Sequence, residues 1–335
     1  MHNRWHPGIE PAFTVAPGAE LRLECEDGAA GQLTRESTHA DVGRMNLGLG
    51  HPLTGPVYVE SAGPGDVLEI EFVSYEPADF GFTPIVGGFS FLGDLFPDTY
   101  LVTWELAGGC ARSAELPGVA VPGDPFAGVA GVAPSHELLE NFRAREERIR
   151  AAGGPVADDA PESALPSSAA AGLRTVPPRE TGGNVDIRGL VSGSRLWLPV
   201  HVPGALFSIG DLHFAQGDGE VCGWAIEMAG AVTVRLSISR DRAPLAFPSY
   251  ETPPRPGRAS FATTGLPVES AMDLTAAARV ALLEMIEWLC ATRGFVREAA
   301  YALCSACVDL RLSEVVDVPY PLVSALLPLD VFESG

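Results

Sequence analysis

Between Gly204 and Glu227 the chain gathers Asp211, His213, Gln216, Asp218 and Glu220 into one short stretch bounded by strand-like runs. One imidazole among several carboxylates is a donor set for a hard or borderline divalent cation. It is equally a set for general acid–base work on a polar substrate. Residues two apart on an extended strand share a face, so Asp211 and His213 point the same way. A turn at Gln216-Gly217 would return the chain as a strand on which Asp218 and Glu220 share a face. The alternative for this segment alone is a plain hairpin whose acids cap turn amides and whose histidine is hydrogen-bonded at a sheet edge. Cys222 would share the Glu220 face, but neighbouring carboxylates raise a thiol pKa and disfavour a nucleophilic cysteine.

The elements that must position these residues read mostly as strands. Val232, Val234, Leu236 and Ile238 alternate with Thr233, Arg235, Ser237 and Ser239, the period of a half-buried strand. Leu196, Leu198, Val200 and Val202 repeat the pattern. A short internal echo links residues 17–23 with residues 64–70, each a Pro-Gly turn running into an alternating strand. Helical spacing of Val280, Leu283, Ile286 and Leu289 predicts a helix from Asp273, its N-cap, to Arg293, with Gly294 as its stop. A second, Ala-rich helix is expected over 296–308 and takes in Cys304 and Cys307, whose C-x-x-C spacing reads as helix packing. The expected fold class is therefore α+β and β-rich, with sandwich-like antiparallel sheets and two C-terminal helices.

Composition narrows the function. With 335 residues and 46% hydrophobic content, the chain can bury a large core. A formal charge of −21 argues against nucleic acid and anionic membranes as partners. The start of the chain lacks an apolar leader and no apolar run is long enough to span a bilayer, so a cytoplasmic protein is expected. Six dispersed cysteines are expected to be reduced. The 22 basic residues are all arginine, which removes any Ser-Ser-Lys design and leaves Ser208 without a role as nucleophile.

Several blocks occur together along the chain: His2-Asn3-Arg4-Trp5-His6-Pro7, the run from His51 to Glu60 followed by Pro64-Gly65-Asp66, and Gly131-Val132-Ala133-Pro134. They continue with Pro177-Pro178 leading to Gly182-Gly183-Asn184-Val185-Asp186, the stretch from Gly210 to Glu220, and Val315-Val316-Asp317-Val318-Pro319. In this order they resemble the acetamidase/formamidase family, whose members hydrolyse small aliphatic amides. The resemblance implies an amidohydrolase for a formamide- or acetamide-like substrate and a homo-oligomer. It turns Asp186 from an Asx-turn residue into a metal ligand beside His213, with Glu220 as ligand or proton shuttle. Zn²⁺ is the expected cation and Ca²⁺ the alternative. Asp218 joins Glu220 as a catalytic candidate, Asp211 or Asp218 would orient the imidazole, and His51, Gln216, Phe214 and Asn184 are the expected substrate contacts.

Phe214 and Trp224 depart from the small residues of the family pattern, which leaves open a reshaped pocket or simple packing. Residues 136–172 resemble an enlarged insertion, expected to be a partly ordered interface element. They divide a β-rich N-terminal part, 1–135, from the part carrying the site and the helices, 173–335, although one composite domain is compatible with the pattern. His2 is not expected to be ordered. The competing functional class is a non-catalytic β-sandwich module that binds a metal with the same acidic turns.

Overall fold

The computed structural model describes residues 1–240, 244–253 and 259–332. Two large, mainly antiparallel sheets share one core, in which Leu68, Ile70 and Leu196 from one sheet meet Phe126, Ile209 and Leu212 from the other. This is the expected sandwich-like arrangement. Strand Gly230–Ile238 buries Val232, Val234 and Leu236, as its alternation requires. Its two neighbours are strands Ala19–Cys25 and Val67–Pro77, so the two echoed segments flank the same strand from opposite sides.

Both C-terminal helices form, over Leu274–Arg293 and Arg297–Cys307. Asp273 caps the first by accepting the Ala276 N–H at 2.9 Å, and Gly294 ends it at φ +69°. Ala277, Ala281 and Met285 pack against Phe261, Val323 and Ala325 of the second sheet. Gly265 permits this approach, because a Cβ there would stand 2.2 Å from the Ala277 carbonyl oxygen. The helices therefore brace the sheet. None of the described helices is long and apolar enough to cross a membrane.

The 136–172 segment is built into the fold. Helix His136–Ala151 starts at Ser135, whose hydroxyl accepts the Leu138 N–H, and buries Leu139, Phe142 and Ile149. Its Arg145 forms a two-point pair with Glu180 and donates to the Tyr320 hydroxyl. His2 is likewise interior at 2% exposure, with its ring nitrogens against Ser208 Oγ and the Arg4 carbonyl. That corrects the expectation of a disordered His2: the imidazole is held by two partners, and burial pushes its pKa down to about 4.

Candidate active site

Strand Phe207–Ala215 lies inside the first sheet between Phe126–Val132 on one side and, along different parts of its other edge, Leu53–Val59 and Ile226–Met228. Asp211 and His213 share a face, as predicted. Opposite His213 in the ladder stands Glu227, and cross-strand partners bring their side chains together. Strand Gly182–Asn184 pairs with the far edge of Phe126–Val132 and delivers Asp186 just beyond its end. There the N–H groups of Val185 and Asp186 both donate to the Gly128 carbonyl.

The result is a buried cluster. His213 Nε2 stands 3.3 Å from Asp211 Oδ2, 3.3 Å from Glu227 Oε1 and 4.0 Å from Glu220 Oε1, while Nδ1 is 3.8 Å from Asp186 Oδ1. Two overlapping triplets, Asp186–His213–Glu220 and Asp211–His213–Glu227, bring one ligand atom per residue within 4.8 Å of each other. Two glycines keep the space open. A Cβ on Gly128 would stand 2.4 Å from Asp186 Oδ1 and 2.7 Å from Asp211 Oδ2, and one on Gly28 would stand 2.1 Å from Asp211 Oδ1. Asp186, Asp211 and Glu220 also occupy left-handed backbone, at φ +42°, +56° and +45°. Such conformations cost of order 1–3 kcal/mol each and persist where the surroundings over-determine them.

Gln216 settles which nitrogen of His213 carries a proton. Its amide nitrogen donates to the carbonyls of Asp186 (3.0 Å) and Ser313 (3.5 Å), so its oxygen must be the atom 2.8 Å from His213 Nδ1. Nδ1 is then the donor, and Nε2 turns a lone pair or a second N–H toward three carboxyls. Burial raises the pKa of Asp186 and Glu220 well above the carboxylate range, and that of Glu227 to about 8, with neighbouring acids adding to the effect on each. Burial also opposes charge on Asp211 and His213. His51 and His213 nonetheless hold Asp211 below the usual range, and Glu227 with Asp211 raises His213 well above its own.

This donor set fits a divalent cation. Both carboxyl oxygens of Asp186, His213 Nε2 and Glu227 Oε2 are buried without an aligned hydrogen-bond partner among the described residues. Buried polar atoms are ordinarily paired. Imidazole nitrogen together with carboxylate oxygen is a combination that binds zinc-like ions.

Other expected site residues fall differently. His51 is half-buried, lines a cavity of about 710 Å³ beside the cluster, and donates its backbone N–H to the Thr175 hydroxyl. Gln216 and Glu220 line a second cavity of about 560 Å³. Asn184 holds Asp317 through a 2.5 Å bond and is not among the described lining residues of the larger cavity, which Asp317 does line. Phe214 faces the core against Gly123, because successive strand residues point to opposite faces and His213 takes the site face. The chain from Gln216 to Ala225 is loop rather than the expected returning strand; Asp218 lines the same 560 Å³ cavity as Glu220 and pairs with Arg188 at 3.1 Å and Arg311 at 3.5 Å. Cys222 donates to the Trp224 carbonyl, burial raises its pKa, and none of the six cysteines is joined in a disulfide.

Glu227, Asp317 and Glu314 were missed. Glu227 stood out only as an acid inside the apolar Ala-Ile-Glu-Met run. Asp317 lay in a quoted block without a role. Glu314 accepts the Val316 and Asp317 N–H groups and so shapes the turn that presents Asp317.

The acetamidase/formamidase family model matches residues 1–334. The chain belongs to the acetamidase/formamidase family. It is 34% identical to a formamidase from Methylophilus methylotrophus, over 99% of this chain and 89% of that protein. It is 36% identical to an acetamidase from Mycolicibacterium smegmatis, over 90% and 84%. Among solved structures of the family's fold, an acetamidase from Bacillus halodurans superposes with a TM-score of 0.79 at 27% identity, covering 98% of this chain and 95% of that one. A γ-lactamase from Delftia acidovorans gives 0.73 at 34% identity, covering 99% and 89%.

Proposed function

We propose that this chain hydrolyses a neutral carboxamide to carboxylate and ammonia at the Asp186, Asp211, His213, Glu220 and Glu227 cluster, with a divalent cation held among these groups. Its activity is that of a hydrolase acting on amide C–N bonds, in line with the formamidase and acetamidase relatives. The observation that carries the metal reading is the set of buried atoms on Asp186, His213 and Glu227 that converge without an aligned hydrogen-bond partner among the described residues. The imidazole favours Zn²⁺ over Ca²⁺, which takes six to eight oxygen ligands.

A cation bound here supplies Lewis acidity toward the amide carbonyl and lowers the pKa of water. The protein residues do the rest. Gln216 locks the His213 ring and its protonation pattern, so that Nε2 faces the carboxylates. Gly28 and Gly128 leave the carboxylates room to converge. Glu220, whose carboxyl pKa burial raises well above the usual range, carries a proton to the departing nitrogen. Its position on the 560 Å³ cavity gives it a direct approach to solvent.

The test is ammonia release from formamide and acetamide by metal-replete protein, with Glu220→Gln beside it. Wild-type protein should release ammonia, and the variant should retain its fold yet lose about 10²–10⁴-fold in kcat. A metal-replete protein that hydrolyses no amide would leave the non-catalytic metal-binding module as the better reading.

A further inference from the structure

We infer that the 155–162 segment forms one wall of an acyl chamber, and that the preferred substrate is a neutral primary amide with a bulky apolar acyl group, aryl or branched, rather than formamide. The inference rests on the amidase reading and deepens it. The chamber is the 710 Å³ cavity, which reaches the cluster at Gly28, His51 and Asp317. That volume corresponds to roughly twenty waters at ~30 Å³ each. Formamide has only three heavy atoms and would leave most of it wet. Cavities of about 300–1,000 Å³ hold ligands of drug-like size.

The walls specify the chemistry. Met45, Val86, Phe89 and Trp224 supply an apolar side, and Gly223 admits the Phe89 ring, since a Cβ there would stand 2.6 Å from it. Trp224 adds one buried indole N–H with no partner among the described residues, a donor for a carbonyl or ring acceptor on the ligand. Arg174 is the one arginine among the described lining residues; its two terminal nitrogens donate to the carbonyls of Asp158 and Leu47, and its Nε has no partner among the described residues. Asp158 and Glu162 border the same cavity. Among the described lining residues, the single arginine faces two acids and gives both terminal nitrogens to carbonyls, so the lining does not favour an anionic substrate.

The 155–162 wall is fixed from behind. The fully buried Arg4 donates to the carbonyls of Ala160 at 2.5 Å and Asp159 at 3.3 Å. Asn3 donates to the Ser163 carbonyl at 2.9 Å and accepts the Leu165 N–H at 2.7 Å. The N-terminal His2-Asn3-Arg4 block thus sets the position of a wall more than 150 residues away. A wall held by charge-assisted bonds to its own backbone keeps its shape before the substrate arrives, which reduces the ordering cost of binding.

The experiment compares formamide, acetamide and phenylacetamide on metal-replete protein and on Met45→Trp, which fills the chamber. It also measures phenylacetamide binding to Glu220→Gln and to the Glu220→Gln/Met45→Trp double variant by calorimetry. Burying a phenyl group should favour phenylacetamide over formamide in kcat/KM by at least about tenfold, and Met45→Trp should shrink that ratio by about tenfold. A ratio at or below unity, together with no heat of binding to Glu220→Gln, overturns the chamber while ammonia release from formamide leaves the amidase reading intact. Binding that Met45→Trp weakens, in a protein that turns over no amide, supports the chamber and removes the hydrolase.

Discussion

The acidic cluster lies beside the cavity that the 155–162 wall lines, and the two are held by opposite means. The cluster is set by strand register: Gly128 opposite Asp211, Glu227 opposite His213, and Asp186 tied to the Gly128 carbonyl. The wall has no ladder. Side-chain donors from Asn3, Arg4 and Arg174 hold its carbonyls. Register leaves the cluster almost no freedom, so small steric changes there should cost catalysis. Donor clamps spread the wall's support over several residues, so changes there should alter specificity and stability first.

The largest effect expected from breaking this contrast is Gly128→Ala. A Cβ at 2.4 Å from Asp186 Oδ1, 2.7 Å from Asp211 Oδ2 and 2.8 Å from His213 Cε1 must push at least one of them aside. Misplacement on that scale costs about 10²-fold, which should appear in kcat for every amide tested while circular dichroism retains the native sheet signal. Arg4→Met should do the reverse. Losing charge-assisted bonds to buried carbonyls should destabilise the protein by about 1.5–3 kcal/mol in urea titration and reduce the preference for bulky amides more than it slows formamide hydrolysis. Equal losses for all amides in Arg4→Met would mean that the wall and the cluster are one mechanical unit.

Much of this was written in the sequence in periodic form. The alternation of Val232, Val234 and Leu236, the Asp273 cap and the Gly294 stop were legible because each is a local rule. Asp186, His213 and Glu220 were legible through their motif context. Phe214 could have been assigned from the same alternation, since a residue beside His213 on a strand cannot share its face. Glu227 was hidden because its meaning depends on a cross-strand register set by a loop from Gln216 to Ala225, where Glu220 turns at φ +45° and breaks the expected strand period. The wall was hidden more deeply: nothing local in residues 155–162 points to Arg4.

A smaller and gentler effect concerns pH in chelator-treated protein. Burial, with Asp211 nearby, raises Glu227 to about 8, and His213 lies well above its ordinary 6.5. The folded state therefore binds more protons than the unfolded chain between about 4.5 and 8. Stability should fall as pH rises through that window, because the proton-binding difference favours the folded state only while the groups stay protonated. Asp211, already ionised in both states there, contributes no slope. Melting temperatures followed from pH 5 to 8 should decline in metal-free protein and flatten when Zn²⁺ is added, since a bound cation takes over the role of the protons. An equal decline with and without Zn²⁺ would separate the titration from the metal site.

The most direct measurement is metal content and ammonia release in the same samples of wild-type protein and His213→Ala, before chelation, after chelation and after Zn²⁺ is restored. The account predicts on the order of one tightly held divalent ion per wild-type chain, activity that leaves with it and returns with it, and neither ion nor activity in His213→Ala. Wild-type ammonia release that survives complete removal of metal, or a His213→Ala variant that keeps both the ion and the rate, would contradict it.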